Sequence, residues 1–136
     1  MQETDMYDVL RLILQRLEHE SIVWRMDGSA NVRIQGMDVA VQRLHVRTND
    51  EGVRVFKKIF KQYLKDEGEN VLFTIDGIDV EVSSNRYNML HRVKMAHWRG
   101  IDVPILPLQE ARDFYVAAGK EKVAASLDAY LHKRFS

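Results

Sequence analysis

Apolar residues recur at the three-and-four spacing of an amphipathic helix in several stretches of the chain. The first stretch carries four such residues on one stripe, namely Leu10, Ile13, Leu14 and Leu17. Thr4 or Asp5 is positioned to cap its start. The pattern predicts helices over residues 5–20, 29–35, 50–65, 107–118 and 121–132. The inner sides of two of them are expected at Val53, Phe56, Ile59, Phe60, Tyr63 and Leu64, and at Val123, Leu127, Tyr130 and Leu131.

Other stretches alternate apolar and polar residues or form short β-rich runs, which predicts strands over residues 22–26, 39–48, 71–75 and 78–82. Asp76-Gly77 joins the last two as a two-residue hairpin turn. A second hairpin is predicted over residues 92–106, with its turn at Arg99-Gly100. The order is helix, strand, short helix, strand, helix, four strands and two helices. It indicates an α/β (α+β) fold in which helices pack against a mixed sheet.

The length of 136 residues suits one domain spanning residues 1–136, since domains most often have about 100–150 residues. No cysteine is present, which excludes disulfides and thiolate metal sites. The sequence shows no signal-peptide pattern and no apolar run long enough to cross a bilayer, so we expect a cytoplasmic protein without a membrane partner. Twenty basic residues balance twenty acidic ones, so a nucleic-acid partner is not expected and self-association is tolerated.

The candidate chemistry lies between the second predicted element and the 78–82 strand. Gly28-Ser29, between a strand and a helix, offers backbone N–H groups and a hydroxyl to an anion. After a spacer, Arg43 and His45 alternate with apolar residues along the 39–48 strand and share one of its faces. Acidic residues share one face of the 78–82 strand in the same way, at Asp79 and Glu81.

This ordered series resembles the nucleotidyltransferase superfamily, in particular its small prokaryotic members. Their pattern is a Gly-Ser or Gly-Gly pair, a spacer, acid–apolar–acid on a strand, and a third acid on a neighbouring strand. Gly28, Ser29 and the apolar Leu44 match it, and Glu81 matches the third acid. Residues 103–110 look like the final strand and helix of that family, and residues 115–131 look like its closing helical segment. The resemblance covers nearly the whole chain and implies a nucleotidyltransferase-like domain.

The first acid pair of the pattern falls on Arg43 and His45. In working members the resemblance implies carboxylates there, which hold divalent metal ions that clamp the nucleotide. Arginine cannot act as a metal ligand, because its guanidinium stays protonated. A fixed positive charge about 5 Å from a divalent ion repels it by roughly 6–7 kcal/mol at an effective dielectric constant of about 20. We therefore expect no two-metal catalysis.

We therefore expect a catalytically degenerate protein that keeps a nucleotide- or phosphate-binding cleft. The expected phosphate-binding residues are Gly28, Ser29, Arg43, His45 and Arg47. For Arg43 a second interpretation is a structural salt bridge to Glu81 or Asp79 across neighbouring strands.

Two alternatives remain open. The first is an active nucleotidyltransferase with a remodelled site, in which Glu81 and Asp79 are catalytic, His45 and Glu81 are candidate metal ligands, and Mg²⁺ is a cofactor only in that case. The second is a non-catalytic interaction module, either a homodimer or the partner of a small helical protein, as the resemblance implies.

Overall fold

A computed structural model describes residues 1–84 and 93–135. Its helices are α1 (Glu3–Leu17), α2 (Gly28–Ile34), α3 (Asp50–Ile59), α4 (Leu108–Ala117) and α5 (Glu121–Phe135). Its strands are β1 (Trp24–Asp27), β2 (Leu44–Thr48), β3 (Leu64–Glu67), β4 (Val71–Ile75), β5 (Ile78–Ser84), β6 (Lys94–Trp98) and β7 (Ile101–Ile105). One turn of 3-10 helix, Lys61–Tyr63, joins α3 to β3.

Five strands form a mixed sheet in the order β1-β2-β5-β4-β3, and β6 and β7 form a separate two-stranded sheet. The pair β2-β5 is parallel, whereas the other neighbours in the five-stranded sheet are antiparallel. The prediction of an α+β fold with a mixed sheet and packed helices is confirmed.

Alternation along β2, β4 and β5 separates a core face of the sheet from a polar face. The core face carries Leu44, Val46, Val71, Phe73, Ile75, Val80 and Val82, all of which are buried. These side chains join the buried stripe of α1 and an aromatic cluster formed by Trp24, Phe56, Phe60 and Phe73. The polar face of the same strands is therefore free to carry the site.

Both predicted hairpins are present. Asp76 and Gly77 have φ angles of 50° and 80°, and Arg99 and Gly100 have 49° and 82°. Two successive positive φ values are typical of the tight turn that matches the twist of paired strands, and glycine adopts them without steric cost. The second hairpin runs from Lys94 to Ile105; Arg92, where the prediction began, lies outside the described residues.

Among the predicted boundaries that differ from the structure, two are wrong because tertiary pairing determines them. The strand predicted over residues 39–48 begins only at Leu44, where its pairing with β1 and β5 starts. The helix predicted over residues 50–65 ends at Ile59, and Leu64 begins the short edge strand β3, which the sequence analysis missed. Arg43 therefore precedes β2 by one residue.

Two details of the helices also differ from prediction. The first helix begins at Glu3 with Gln2 as its N-cap residue, so neither Thr4 nor Asp5 caps it. In α5, Val123 is 43% exposed whereas Ala124 and Leu127 are buried. Val123 lies outside the buried stripe because one residue turns a helix by about 100°.

Candidate functional site

The register of three strands brings the candidate residues of the polar face together. His45 on β2 lies directly opposite Asp27 on β1 and opposite Glu81 on β5. The imidazole is thus flanked by a carboxylate on each neighbouring strand. The sequence pattern predicts suitable faces for His45 and Glu81 but relates neither of them to Asp27.

Glu81 binds both residues that occupy the expected acid positions. Its Oε2 lies 2.9 Å from Nδ1 of His45 and 3.8 Å from Nη1 of Arg43. The shorter contact is within ion-pair and hydrogen-bonding distance, whereas the longer is an ion pair of loose geometry. The predicted contact between Arg43 and Glu81 is confirmed, although His45 lies closer to Glu81 than Arg43 does.

Asp27 performs two tasks at the opposite side of His45. Its Oδ1 accepts a hydrogen bond from the backbone N–H of Gly28 at 3.0 Å, which caps α2. Its Oδ2 lies 3.3 Å from Nε of Arg47. The N–H of Gly28 is therefore engaged within the chain, and Arg47 is held against β1.

Asp79 does not join this group. Its Oδ1 accepts a hydrogen bond from the hydroxyl of Thr74 at 2.9 Å and lies 3.7 Å from Nζ of Lys65. Asp79 and Glu81, which were predicted as two catalytic carboxylates, are two residues apart on β5 and share one of its faces. Their partners nevertheless differ, and Asp79 lines neither of the cavities described next.

Two cavities meet at His45. The first, here called the aromatic cleft, has a volume of about 270 Å³, and its charged and aromatic lining includes Asp27, His45, Arg47, Glu81, Tyr115 and Lys120. The second, here called the serine pocket, has a volume of about 490 Å³ and is lined by Ser29, Ala40, Gln42, Arg43 and His45. Every predicted phosphate-binding residue lines one of the two, and His45 lines both.

Gly28 permits the close approach of α2 to the imidazole. It has a φ of 64°, and a Cβ atom added to it would lie 2.9 Å from Cδ2 of His45. Real Cβ atoms almost never come so near another heavy atom. Glycine is thus required at this position both by its backbone angle and by the ring beside it.

Tyr115 and Lys120 were missed as site residues because they come from the far end of the chain. Tyr115 on α4 is half-buried, and the Lys120 ammonium lies 5.9 Å from the centroid of its ring. Burial, and secondarily the nearby carboxylate of Asp27, raise the pKa of Tyr115 above its ordinary value. The sequence signal that could have placed Tyr115 toward the interior is its helical spacing, because it continues the buried stripe of Leu108 and Ala111.

A buried asparagine links the site to the C-terminal helices. Asn31 of α2 donates from Nδ2 to the carbonyl of Leu106 at 2.9 Å and accepts at Oδ1 from the N–H of Leu106 at 3.0 Å. Nε2 of Gln35 donates to the same carbonyl at 2.7 Å. The helix that begins at Gly28 is thereby fixed relative to the segment leading into α4.

These residues do not fit the divalent metal ions that the resemblance implies. Asp27 and Glu81 are the acidic residues lining the aromatic cleft, and each has a cationic partner or an imidazole partner within 3.8 Å. Among the described residues, no group of three or more histidine, cysteine, aspartate or glutamate side chains is arranged to hold a metal ion. Hard divalent ions such as Mg²⁺ need several oxygen ligands, and this donor set does not provide them.

In the part of the chain that the structure describes, no helix combines the length and the apolar character needed to cross a membrane. Neither the protein-family profiles nor the characterised proteins contain a match to this sequence.

Solved structures do resemble it. A protein from Thermotoga maritima, provisionally assigned as a nucleotidyltransferase, superposes with a TM-score of 0.78 at 23% identity, over 98% of this chain and 96% of that one. The lincosamide antibiotic adenylyltransferase LnuA, bound to lincomycin, gives a TM-score of 0.61 at 11% identity, over 85% of this chain and 86% of its own. The antibiotic-resistance factor ANT(2'')-Ia, in complex with adenylyl-2''-tobramycin, gives 0.64 at 9% identity, over 97% of this chain and 99% of its own. At these identities the likeness establishes the fold.

Proposed function

We propose that this chain, which has the nucleotidyltransferase fold, binds a nucleotide or another phosphate-bearing ligand without a divalent metal ion. In this proposal it has lost the metal-dependent transfer reaction. The carrying observation is that three fixed cations, Arg43, Arg47 and Lys120, line the two cavities that meet at His45, against two carboxylates. Permanent guanidinium charges bind phosphate oxygens directly, which is the task that metal ions perform in a two-metal site.

Four of the five predicted phosphate-binding residues have distinct roles in this proposal. Arg47 holds phosphate oxygens in the aromatic cleft, and Arg43 holds them in the serine pocket. Ser29 contributes its hydroxyl, and its N–H belongs to the first turn of α2, where backbone donors lack helical acceptors. Gly28 lets α2 lie close to the imidazole of His45. It offers no free donor, because its N–H already bonds to Asp27.

The proposal predicts a particular metal dependence. Calorimetric titration with ATP, GTP and tripolyphosphate should give saturable binding in the presence of EDTA, and added Mg²⁺ should not strengthen it. Mg²⁺ should weaken the binding slightly, because it neutralises the phosphates that the arginines recognise. Absence of heat with all three ligands in both conditions contradicts the proposal.

Single substitutions locate the binding. Arg43→Ala and Arg47→Ala should each weaken binding by about 10- to 150-fold, since a charge-assisted hydrogen bond contributes about 1.5–3 kcal/mol. Lys65→Ala is a matched control, because Lys65 also pairs with a carboxylate, that of Asp79, but lines neither cavity. Equal weakening by the control and by the arginine substitutions would show that the measured binding is non-specific charge attraction.

The active nucleotidyltransferase with a remodelled metal site is the weaker candidate. It requires Asp79, Glu81 and His45 as a joint ligand set, and Asp79 is instead bonded to Thr74 and close to Lys65. Incubation with labelled nucleoside triphosphates, Mn²⁺ and candidate acceptors tests it. A metal-dependent transfer that Glu81→Ala abolishes would revive this candidate.

A further inference from the structure

We propose that His45 is a nucleophile whose Nε2 atom takes a phosphorus group from a nucleoside triphosphate, with no metal ion involved. This inference rests on the proposed function, because the triphosphate must first bind beside Arg43 and Arg47. It gives Glu81, the carboxylate retained from the expected metal-binding pattern, a different task. Glu81 becomes the positioning residue for the imidazole.

The imidazole lies across the polar face of the sheet in an orientation that leaves one nitrogen exposed. Its Nδ1 edge faces β5, with Nδ1 2.9 Å from Oε2 of Glu81. Its Cδ2 edge faces β1 and α2, where it lies against Gly28. Nε2 is bonded to Cδ2 on the side of the ring away from the backbone, and no hydrogen-bond partner for it is found within residues 1–84 and 93–135. Nε2 is therefore available to a ligand.

The contact with Glu81 selects the reactive tautomer. A carboxylate oxygen 2.9 Å from Nδ1 repels a lone pair there, so the proton of neutral His45 resides on Nδ1 and the lone pair resides on Nε2. The same carboxylate stabilises the positive charge that the ring acquires when Nε2 forms a bond. Two functions that nucleophilic catalysis by histidine needs are thus provided by one contact.

The two arginines supply the electrostatic component. Arg47 follows His45 by two residues on β2, and same-face neighbours on a strand are about 6.6 Å apart. Arg43 precedes β2 by one residue, and its Nη1 contacts the same Oε2 of Glu81 that lies beside Nδ1 of His45. A phosphate placed at Nε2 therefore has both guanidinium groups in its neighbourhood. Such fixed charges stabilise the negative charge on the phosphate and on the leaving group in the transition state.

The position of His45 between two cavities suits a transfer in two steps. The aromatic cleft provides Tyr115, with its ring beside Lys120, for the remainder of the donor. The serine pocket is lined by the same imidazole and provides Ser29 and Arg43. A donor and an acceptor can therefore reach the ring from different cavities.

The chemical step conserves atoms and charge. The Nε2 lone pair forms a bond to phosphorus while the bridging P–O bond breaks, and the leaving group departs with the electron pair. The leaving group is pyrophosphate if the α-phosphorus is attacked and a nucleoside diphosphate if the γ-phosphorus is attacked. The Nδ1 proton stays on the ring, beside Glu81. Attack by water or an alcohol then breaks the P–N bond, returns the electron pair to Nε2 and releases the hydroxyl proton to solvent.

The test is covalent labelling in EDTA. The protein is incubated with ATP carrying radioactive phosphorus at the α position in one arm and at the γ position in another. We expect an acid-labile, alkali-stable label in one arm, and mass spectrometry should place it on His45. The labelled position distinguishes nucleotidyl transfer from phosphoryl transfer.

His45→Gln should abolish the label. His97→Gln is a matched control, because His97 has the same Nδ1 contact of 2.9 Å, with Asp102, but lies on the exposed hairpin outside both cavities. Glu81→Gln should slow labelling at saturating ATP by about tenfold or more, without raising the Kd for ATP. A purely structural role of Glu81 would instead impair binding and labelling together.

The outcomes separate this inference from the proposed function. ATP binding in EDTA without any label overturns the inference and leaves the proposed function standing. Absence of ATP binding overturns the inference, and absence of binding by ATP, GTP and tripolyphosphate alike overturns both. A label that survives in His45→Gln, or that His97→Gln removes, also overturns the inference.

Discussion

Asn31 pairs with the main chain of Leu106 as a neighbouring strand would, donating to its carbonyl and accepting from its N–H. Both residues are buried. The contact joins α2, which begins at Gly28, to the segment that leads into α4. The spacing between Gly28 and Tyr115 in the aromatic cleft therefore depends on this amide, together with that of Gln35, which donates to the same carbonyl.

Replacing this amide should destabilise the protein. Asn31→Ala leaves the Leu106 N–H without its partner in a buried position, and the expected loss in the free energy of unfolding is about 2–3 kcal/mol. Urea denaturation measures it. Asn70→Ala is the control, because Asn70 is exposed and bonds to Glu81 near the surface, so its loss should stay within about 0.5 kcal/mol. Equal losses for the two variants would contradict this role of Asn31.

Gly52 should not tolerate a methyl group. Alanine in place of an exposed helical glycine ordinarily raises stability by up to about 1 kcal/mol. At Gly52 the added Cβ would overlap Oγ1 of Thr48, which bonds to the carbonyl of Val23. We expect Gly52→Ala to lower the free energy of unfolding by about 1–3 kcal/mol.

Gly68→Ala provides the comparison for thermal or urea unfolding. A Cβ at Gly68 meets its nearest neighbour, Oδ2 of Asp66, at an ordinary 3.5 Å. Its effect should be small. A stabilising Gly52→Ala would mean that Thr48 moves aside without cost.

The stability of the protein should depend on Tyr115 at alkaline pH. Because its pKa is raised above the ordinary value of 10.0, the folded chain holds the phenolic proton more tightly than the unfolded chain does. This contribution is fully present below pH 10.0 and is lost as the pH rises through the pKa of the folded state. The free energy of unfolding of the wild type should therefore fall in that window.

Tyr115→Phe removes the titrating group, so its stability should fall less steeply over the same window. Ultraviolet titration of the folded protein should also lose a tyrosine that titrates above pH 10.0 in this variant. Tyr7→Phe serves as the control, since Tyr7 packs against Trp98 and does not line the aromatic cleft. Parallel stability curves for wild type and Tyr115→Phe would exclude the effect.

Restoring the acid pair should restore metal binding. The double change Arg43→Asp and His45→Asp removes the charge that repels a divalent ion, and together with Glu81 it assembles three carboxylates. Loss of repulsion alone changes the interaction by roughly 6–7 kcal/mol at 5 Å and a dielectric constant of about 20. Calorimetry with Mn²⁺ should show binding by this variant.

The double alanine variant, Arg43→Ala with His45→Ala, separates the two causes. It removes the repulsion without adding ligands, so it should bind Mn²⁺ far more weakly than the double aspartate variant. Tight Mn²⁺ binding by the unmodified protein would overturn the electrostatic argument.

Local sequence signals predicted the elements whose causes are themselves local. Asp76-Gly77 and Arg99-Gly100 predicted both hairpins, because their turns require positive φ angles. The edge strand β3 was missed, because Lys65, Asp66 and Glu67 are exposed on it and leave no apolar alternation to detect. Its existence depends on pairing with β4, which is a tertiary cause.

The same distinction holds for the site. Alternation showed that His45 and Glu81 each lie on one face of a strand, but not that the two strands are neighbours in register. That register follows from the parallel pairing of β2 with β5, which are separated in the chain by α3 and a hairpin. Asp27 and Tyr115 could not be assigned to the cleft, because their approach to each other depends on how α4 packs.

In the proposed binding mode, the pre-formed ion pairs of Arg47 with Asp27 and of Arg43 with Glu81 make binding selective for charge density. A monovalent anion such as chloride would exchange one partner for a weaker one and gain little. A polyanion that engages both guanidinium groups at once would displace the two carboxylates. Under this proposal, the ion pairs of the unliganded protein themselves discriminate against small monovalent anions.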